Sequence, residues 1–241
     1  MDPDTVARLL HLNRRFYQTF GDEFSQTRQR LQPGVRRILE ALDPQARLLD
    51  LGCGNGQLAV YLVEKGFYGE YIGVDSSAAL LNEARKNIPN SAKAALIQAD
   101  LAAPDWDQAL SGRQFDVVLA FAVLHHLPGE SLRRRVLEKT RALLDRQGRF
   151  IHSQWQFLNS PRLRARLQPW QKAGIPEADV DPGDYLLDWR RGGQGLRYVH
   201  HFSEAELQAL ATATGFHILE TFYSDGETGD LGLYQVWTRI R

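Results

Sequence analysis

Leu48-Leu49-Asp50-Leu51-Gly52-Cys53-Gly54-Asn55-Gly56 is the stretch whose reading decides the fold. A short apolar run of strand type leads into three glycines spaced two apart, and a helical pattern follows over residues 58–65. Glycine lets a backbone turn tightly and approach a ligand that a Cβ would push away. The stretch is therefore a strand, loop and helix that receives a small polar or anionic ligand. A dinucleotide-binding loop wants its third glycine three residues after the second, but here Gln57 holds that place and Gly56 comes one residue early. That argues against NAD and FAD. Asp50 ahead of the loop suits the ammonium end of an amino acid and would repel a pyrophosphate.

The same rhythm extends outward. Strands are expected at 71–75, 94–99, 115–122 and 150–153, with helices near 78–87 and 131–144 between them. Alternation of this kind predicts an α/β fold, a parallel sheet covered by helices on both faces, doubly wound through right-handed crossovers. Upstream, Val6, Leu9 and Leu10, then Val35, Ile38, Leu39 and Leu42, recur at helical spacing. Downstream, residues 154–201 break the rhythm with Pro, Gly, Arg and aromatics, as a long functional loop does. Regularity returns where Ser203 and Glu206 form a capping box for a helix to about 214, which Gly215 ends. Strands at 217–223 and 231–240, joined by the turn-rich 224–230, read as an antiparallel hairpin. The chain thus divides into a helical cap (1–46), a cofactor-binding core (47–153), a substrate insertion after the fifth strand (154–202) and a closing helix and hairpin (203–241).

Bulk composition narrows the function classes. With 241 residues, 43% hydrophobic and 24% charged, the chain is an ordinary globular domain without an apolar run long enough to span a membrane. One cysteine and no secretory leader point to the cytoplasm. Lys+Arg 29 balance Asp+Glu 29, so no global field steers the protein to nucleic acid.

Asp75 closes the second strand, about 20 residues past the loop, where a carboxylate in this architecture accepts from ribose hydroxyls. Asp100, ending the third strand, can accept from an adenine amine, with Leu101 and Phe121 flanking the ring. Asn55 in the loop and Ser76 beside Asp75 belong to the same site. A glycine loop, a ribose acid and a base-reading acid together describe a nucleoside joined to an amino acid.

Over roughly 47–153 and the closing strands, the sequence resembles the class I S-adenosylmethionine methyltransferases. The resemblance implies a Rossmann-like seven-stranded sheet whose last strand is antiparallel. It implies S-adenosylmethionine as cofactor, with Asp50, Gly52 and Gly54 at its methionine part, Asp75 at ribose, and Asp100 with Leu101 at adenine. Outside the core, Phe24-Ser25-Gln26-Thr27-Arg28, His125-His126, the segment from Gly183 to Trp189 and Arg197-Tyr198-Val199-His200-His201-Phe202 resemble the tRNA wobble-uridine carboxymethyl O-methyltransferases. Asp188 stands where that family usually has proline, and Val199 where it has a second tyrosine. A small zinc-binding activator subunit is known as a partner in that family.

Methyl transfer needs alignment above all, and a carboxylate with a pKa near ~4 is already ionised at neutral pH, so cations and donors suffice. Arg197 and His200 are the expected substrate contacts, with one of His125 and His126 at the reacting group. Tyr17 or Arg28 is expected to close over the cofactor. Solvated arginines and packed histidines are the plain alternatives at these positions. Cys53 is expected to be a buried filler, not a nucleophile, and adjacent histidines seldom converge on a metal, so no metal site is expected. The acceptor is either a carboxylate of tRNA or a small-molecule carboxylate. A metabolite methyltransferase and a non-catalytic activator subunit remain the competing functions.

Overall fold

The structure, a computed structural model, describes residues 1–26 and 30–240. The chain opens with α1 (Pro3–Gln26) and α2 (Pro33–Glu40). Each begins on a proline, whose missing N–H costs nothing at a first helical position. Asp2 caps α1, its Oδ1 accepting from the amides of Asp4 at 2.9 Å and Thr5 at 3.0 Å. The core then alternates β1 (Arg47–Leu51), α3 (Gln57–Glu64), β2 (Glu70–Asp75), α4 (Ala78–Asn87), β3 (Ala94–Gln98), β4 (Phe115–Phe121), α5 (Glu130–Leu143) and β5 (Leu144–Trp155). Beyond it come α6 (Pro161–Arg164), β6 (Leu167–Gln168), β7 (Asp184–Trp189), β8 (Gly195–His200), α7 (Glu204–Ala213), β9 (Phe216–Ser224) and β10 (Gly232–Arg239).

Seven strands form the main sheet in the order β3-β2-β1-β4-β5-β10-β9. The first five pair in parallel. β10 runs antiparallel to both β5 and β9, as expected for the closing hairpin. Successive strand residues serve opposite faces: Leu49, Ile97 and Phe150 pack toward α5 and α7, while Leu48, Leu96 and Ile151 pack toward α2, α3 and α4. Burial on both faces explains why these strands read as continuous apolar runs without alternation. The strand order reverses between β1 and β4, so the crevice for a ligand opens at their carboxyl ends.

Two details depart from the expected pattern. β5 begins at Leu144, directly after α5, and not at Phe150; its early residues pair with Phe115 across a register shift, where Gly148 turns close to the Phe115 carbonyl. The irregular-looking stretch after β5 holds a second sheet, β6-β7-β8, antiparallel throughout. Its strands carry polar residues at buried positions, so they lack the period-2 signature of a half-exposed strand. One face, through Leu186 and Tyr198, packs on Leu9 of α1 and on Trp170 and Ile175; the other, through Leu187 and Val199, packs on Phe157 and Leu163. Among the described residues no helix is long and apolar enough to cross a membrane.

Candidate functional site

Backbone geometry at the carboxyl end of β1 follows from its glycines. Gly52, Gly54 and Gly56 have φ of +73°, +55° and +79°, a region that penalises any residue with a Cβ. Gly52 is also forced by contact, since a Cβ there would lie 2.7 Å from Val123 just past β4. At Gly54 nothing lies within 4 Å of that position, leaving room for a ligand to approach the backbone. Cys53 tucks under the loop against Gly73, and burial pushes its thiol up, away from nucleophilic use.

Two acids frame this cradle. Asp50 is buried, and loss of hydration pushes its carboxyl up to about 7, opposed by a hydrogen bond that the Tyr71 hydroxyl donates at 2.5 Å. Asp75, at the end of β2, accepts from the Gly54 amide at 2.9 Å and the Ser77 amide at 2.8 Å, while burial raises its carboxyl. Ser76 lies between these anchors and Asn55 sits in the loop, its carbonyl accepting from Asn87 at 3.0 Å. Two desolvated acids that act on one another, one of them bonded to the Gly54 amide, fit a ligand with a cationic end. Asp100, half-buried beyond β3, pairs with Arg14 of α1 at 2.8 Å. Leu101 and Phe121 fall in separate core clusters, Phe121 tilting against Tyr234 at 6.1 Å.

The opposite wall is built at the ends of β4 and β5. Ala122 adopts φ +57°, uncommon for a residue with a side chain, and is held there by its amide donating to the Ser153 carbonyl and hydroxyl, both at 3.1 Å. The chain then turns through Leu124–His126. There the structure brings together residues from four distant parts of the sequence. His125 accepts from the Trp155 amide at 3.5 Å and lies edge-on to His126 with ring centres 4.3 Å apart. Tyr17 Oη is 2.9 Å from His126 Nε2. Tyr17 meets Phe16 at 5.1 Å, and the buried Arg197 guanidinium lies 5.5 Å from the Phe16 ring and 4.8 Å from Trp155. Arg197, Trp155, His125, His126, Tyr17 and Phe16 thus close a ring of contacts in which an obligate cation sits between aromatic faces.

His200 takes a different place. Its Nδ1 lies 2.6 Å from Asp184 and its Nε2 2.8 Å from Glu206, so both ring nitrogens are engaged inside the protein. Asp184 also accepts from the Tyr198 hydroxyl at 2.7 Å, and Arg133 of α5 donates to the Leu127 carbonyl and the Tyr198 hydroxyl. This network ties the small sheet to α5 and α7; a direct hydrogen bond from His200 to a substrate would require one of its present partners to leave. Arg28 lies outside the described residues.

Several residues of the site escaped sequence reasoning. Asn13 is buried in α1 and donates to the Tyr198 carbonyl at 3.2 Å while accepting from its amide at 2.8 Å. Its position in the apolar stripe Leu9, Asn13, Phe16, Phe20 was a usable signal, because a polar residue on a buried face needs partners. Tyr71, Arg14, Asp184 and Ala122 gave no such signal, since their partners lie far along the chain.

A family profile described as a methyltransferase domain matches residues 24–221. The chain belongs to the methyltransferase family. The tRNA (carboxymethyluridine(34)-5-O)-methyltransferase of Schizosaccharomyces pombe is 25% identical over 86% of the chain and 89% of its own length. The trans-aconitate 2-methyltransferase of Acidovorax ebreus is 34% identical over 48% of the chain and 40% of its own length. Among solved structures, a SAM-dependent methyltransferase of Methanosarcina mazei has the same fold, with TM-score 0.65 and 21% identity over 87% of this chain and 98% of that one. The protein is a methyltransferase, and its seven-stranded sheet has the Rossmann-like topology of that solved S-adenosylmethionine-dependent enzyme.

Proposed function

We propose that the protein O-methylates a carboxylate, with a carboxymethyl-type uridine of tRNA as the leading acceptor. The observation that carries this reading is the contact ring around Arg197. A guanidinium keeps its charge at any working pH and presents a planar fork that matches a carboxylate. Phe16 and Trp155 hold it from two sides, which fixes its direction and shields it from water. His125, at the end of β4, faces the same Trp155 ring, with His126 against it, beside the glycine loop that Val123 touches. The names of the two relatives give related chemistry, since trans-aconitate and carboxymethyluridine are both carboxylic acids.

S-adenosylmethionine, when bound, supplies a methyl group on a sulfonium that a carboxylate oxygen can take. Asp50 and the backbone of residues 52–56 would hold its methionine end, Asp75 the ribose, and Asp100 the adenine edge once Arg14 swings aside. Arg197 orients the acceptor carboxylate, and the histidine pair with Tyr17 closes the wall against water. No general base is required, because the acceptor is already an anion. Residues 154–202 act as the substrate-binding insertion, and an activator subunit forms no part of the reading.

Labelled methyl incorporation from S-adenosylmethionine tests it, comparing tRNA from cells lacking the protein, a low-molecular-weight extract and trans-aconitate. Label in tRNA that mild alkali removes as methanol is the expected result. Base-stable label in tRNA would exclude an ester, and label confined to the extract would favour the metabolite reading. Arg197→Lys, which keeps charge but loses the fork, should lower kcat/KM about 10²-fold, on the order of 2.7 kcal/mol, with cofactor affinity within about threefold of wild type.

A further inference from the structure

We infer that Tyr71 is a positioning residue for the cofactor: its hydroxyl orients the Asp50 carboxyl toward the ammonium group and favours its anionic form, so that cofactor binding draws off the proton that part of the empty sites still hold. The inference rests on Asp50 being the ammonium site. Asp50 and Tyr71 face each other from adjacent strands, Asp50 on β1 opposite Gly73 and Tyr71 two residues earlier on β2. Both are 3% exposed or less, and the Tyr71 hydroxyl reaches Asp50 Oδ2 at 2.5 Å. Burial beside an acid holds the phenol far above its ordinary range, so Tyr71 keeps its proton and donates it.

The remaining titratable groups that act on Asp50 are Asp75 at the end of β2 and Cys53 in the loop. Neither supplies a positive charge. Asp75 opposes ionisation of Asp50, and Cys53 stays neutral. The Tyr71 hydrogen bond is thus the interaction that favours the anion while no ligand is bound, and an arriving ammonium completes it. Proton balance is simple: the carboxyl proton leaves to solvent as the ammonium takes its place, and the ammonium keeps its own. Near neutral pH the empty site holds a mixture of the two forms, because Asp50 is pushed up to about 7. Affinity must then rise with pH through that region and level off above it.

Calorimetry of S-adenosylhomocysteine binding between about pH 6 and pH 8.5, in two buffers of different ionisation heat, reads the linkage directly. Wild type is expected to bind up to tenfold more tightly per pH unit on the acid side and to show buffer-dependent heat from proton release. Tyr71→Phe keeps the ring in the apolar cluster that also holds Ala59 and Leu62, so the protein should stay folded, its melting temperature lowered by only about 3–8 °C for the lost buried hydrogen bond. Its pH profile should shift upward and its affinity at neutral pH fall about 5- to 10-fold, equivalent to roughly 1 to 1.4 kcal/mol. Asp50→Asn should lose the acid-side dependence, leaving only titration of the ligand's own amine. A flat wild-type profile without buffer-dependent heat overturns the inference, as does a Tyr71→Phe profile that superimposes on wild type. If Asp50→Asn binds like wild type, the assignment of Asp50 to the ammonium itself fails. If Asp50→Asn is weakened but Tyr71→Phe is not, only the role of Tyr71 falls.

Discussion

His152 shows how much a single residue can set at the centre of this sheet. It is fully buried on β5, stacked on Phe150 at 5.0 Å and edge-on to Trp237 at 4.5 Å, with Nδ1 3.0 Å from the Gln154 amide nitrogen. Burial lowers its pKa to about 3, so the folded protein keeps it neutral. The unfolded chain takes up a proton below about pH 6.5, which draws the equilibrium toward unfolding. The stability contributed by neutral His152 is therefore present above about pH 6.5 and is lost as pH falls from there toward about 3, by up to ~1.4 kcal/mol per pH unit. Melting temperature measured from about pH 7 to pH 5 should drop more steeply for wild type than for His152→Gln. Parallel curves would show that His152 does not contribute. Nothing in the local sequence Phe150-Ile151-His152-Ser153 distinguishes a histidine facing the core from one facing a ligand. Only the packing against Phe150 and Trp237 decides that.

Among the elements, α1 joins the proposed cofactor side to the proposed acceptor side. Arg14 reaches Asp100, Tyr17 reaches His126, Phe16 faces Arg197, and Asn13 is bonded to both backbone groups of Tyr198 on β8. Asn13→Ala would leave a buried amide and a buried carbonyl without their side-chain partner, costing roughly 2–4 kcal/mol. For a domain of this size that is a fall of about 5–15 °C in Tm. Activity in Asn13→Ala should fall further than cofactor affinity, because the proposed acceptor wall holds Phe16 and Tyr17 of α1. Equal activity despite a lower Tm would show that α1 does not position the acceptor. The helix was legible from its apolar spacing, but the ladder of contacts along it was not. Similarly, β7 and β8 were hidden because Asp184, Arg197 and His200 are buried polar residues that satisfy one another only after folding.

For the whole molecule, the balance of 29 acids against 29 Lys and Arg leaves RNA recognition to local surfaces. Arg8, His11 and Arg15 recur at three- and four-residue spacing, so they share one exposed face of α1 about 10 Å long. They border a groove of about 350 Å³ whose other wall is Ala173 and Ile175 of the insertion. If tRNA is the acceptor, phosphates should lie along this face. Removing Arg8 and Arg15 together should then reduce the slope of log K against log salt by about 2 and weaken tRNA binding at all sequences alike. An unchanged slope would place the RNA elsewhere or exclude it.

What could be read from the sequence by itself is the glycine turn and the acids around it, on which the proposed cofactor end rests. A glycine-rich turn, an acid before it, an acid closing the next strand and another just past the third are local constraints, and local constraints can be read from spacing. The alternating apolar runs likewise carried the doubly wound sheet, because burial on both faces writes itself into every strand. The contact ring proposed as the acceptor end exists only in the tertiary structure. Phe16, His125, Trp155 and Arg197 are scattered across nearly 200 positions, and their meeting depends on how α1 and the small sheet dock over the ends of β4 and β5. Likewise, His200 has its nitrogens committed to Asp184 and Glu206, 16 and 6 residues away in the chain, which meet it only when β7 pairs with β8 and α7 folds back on the end of that strand.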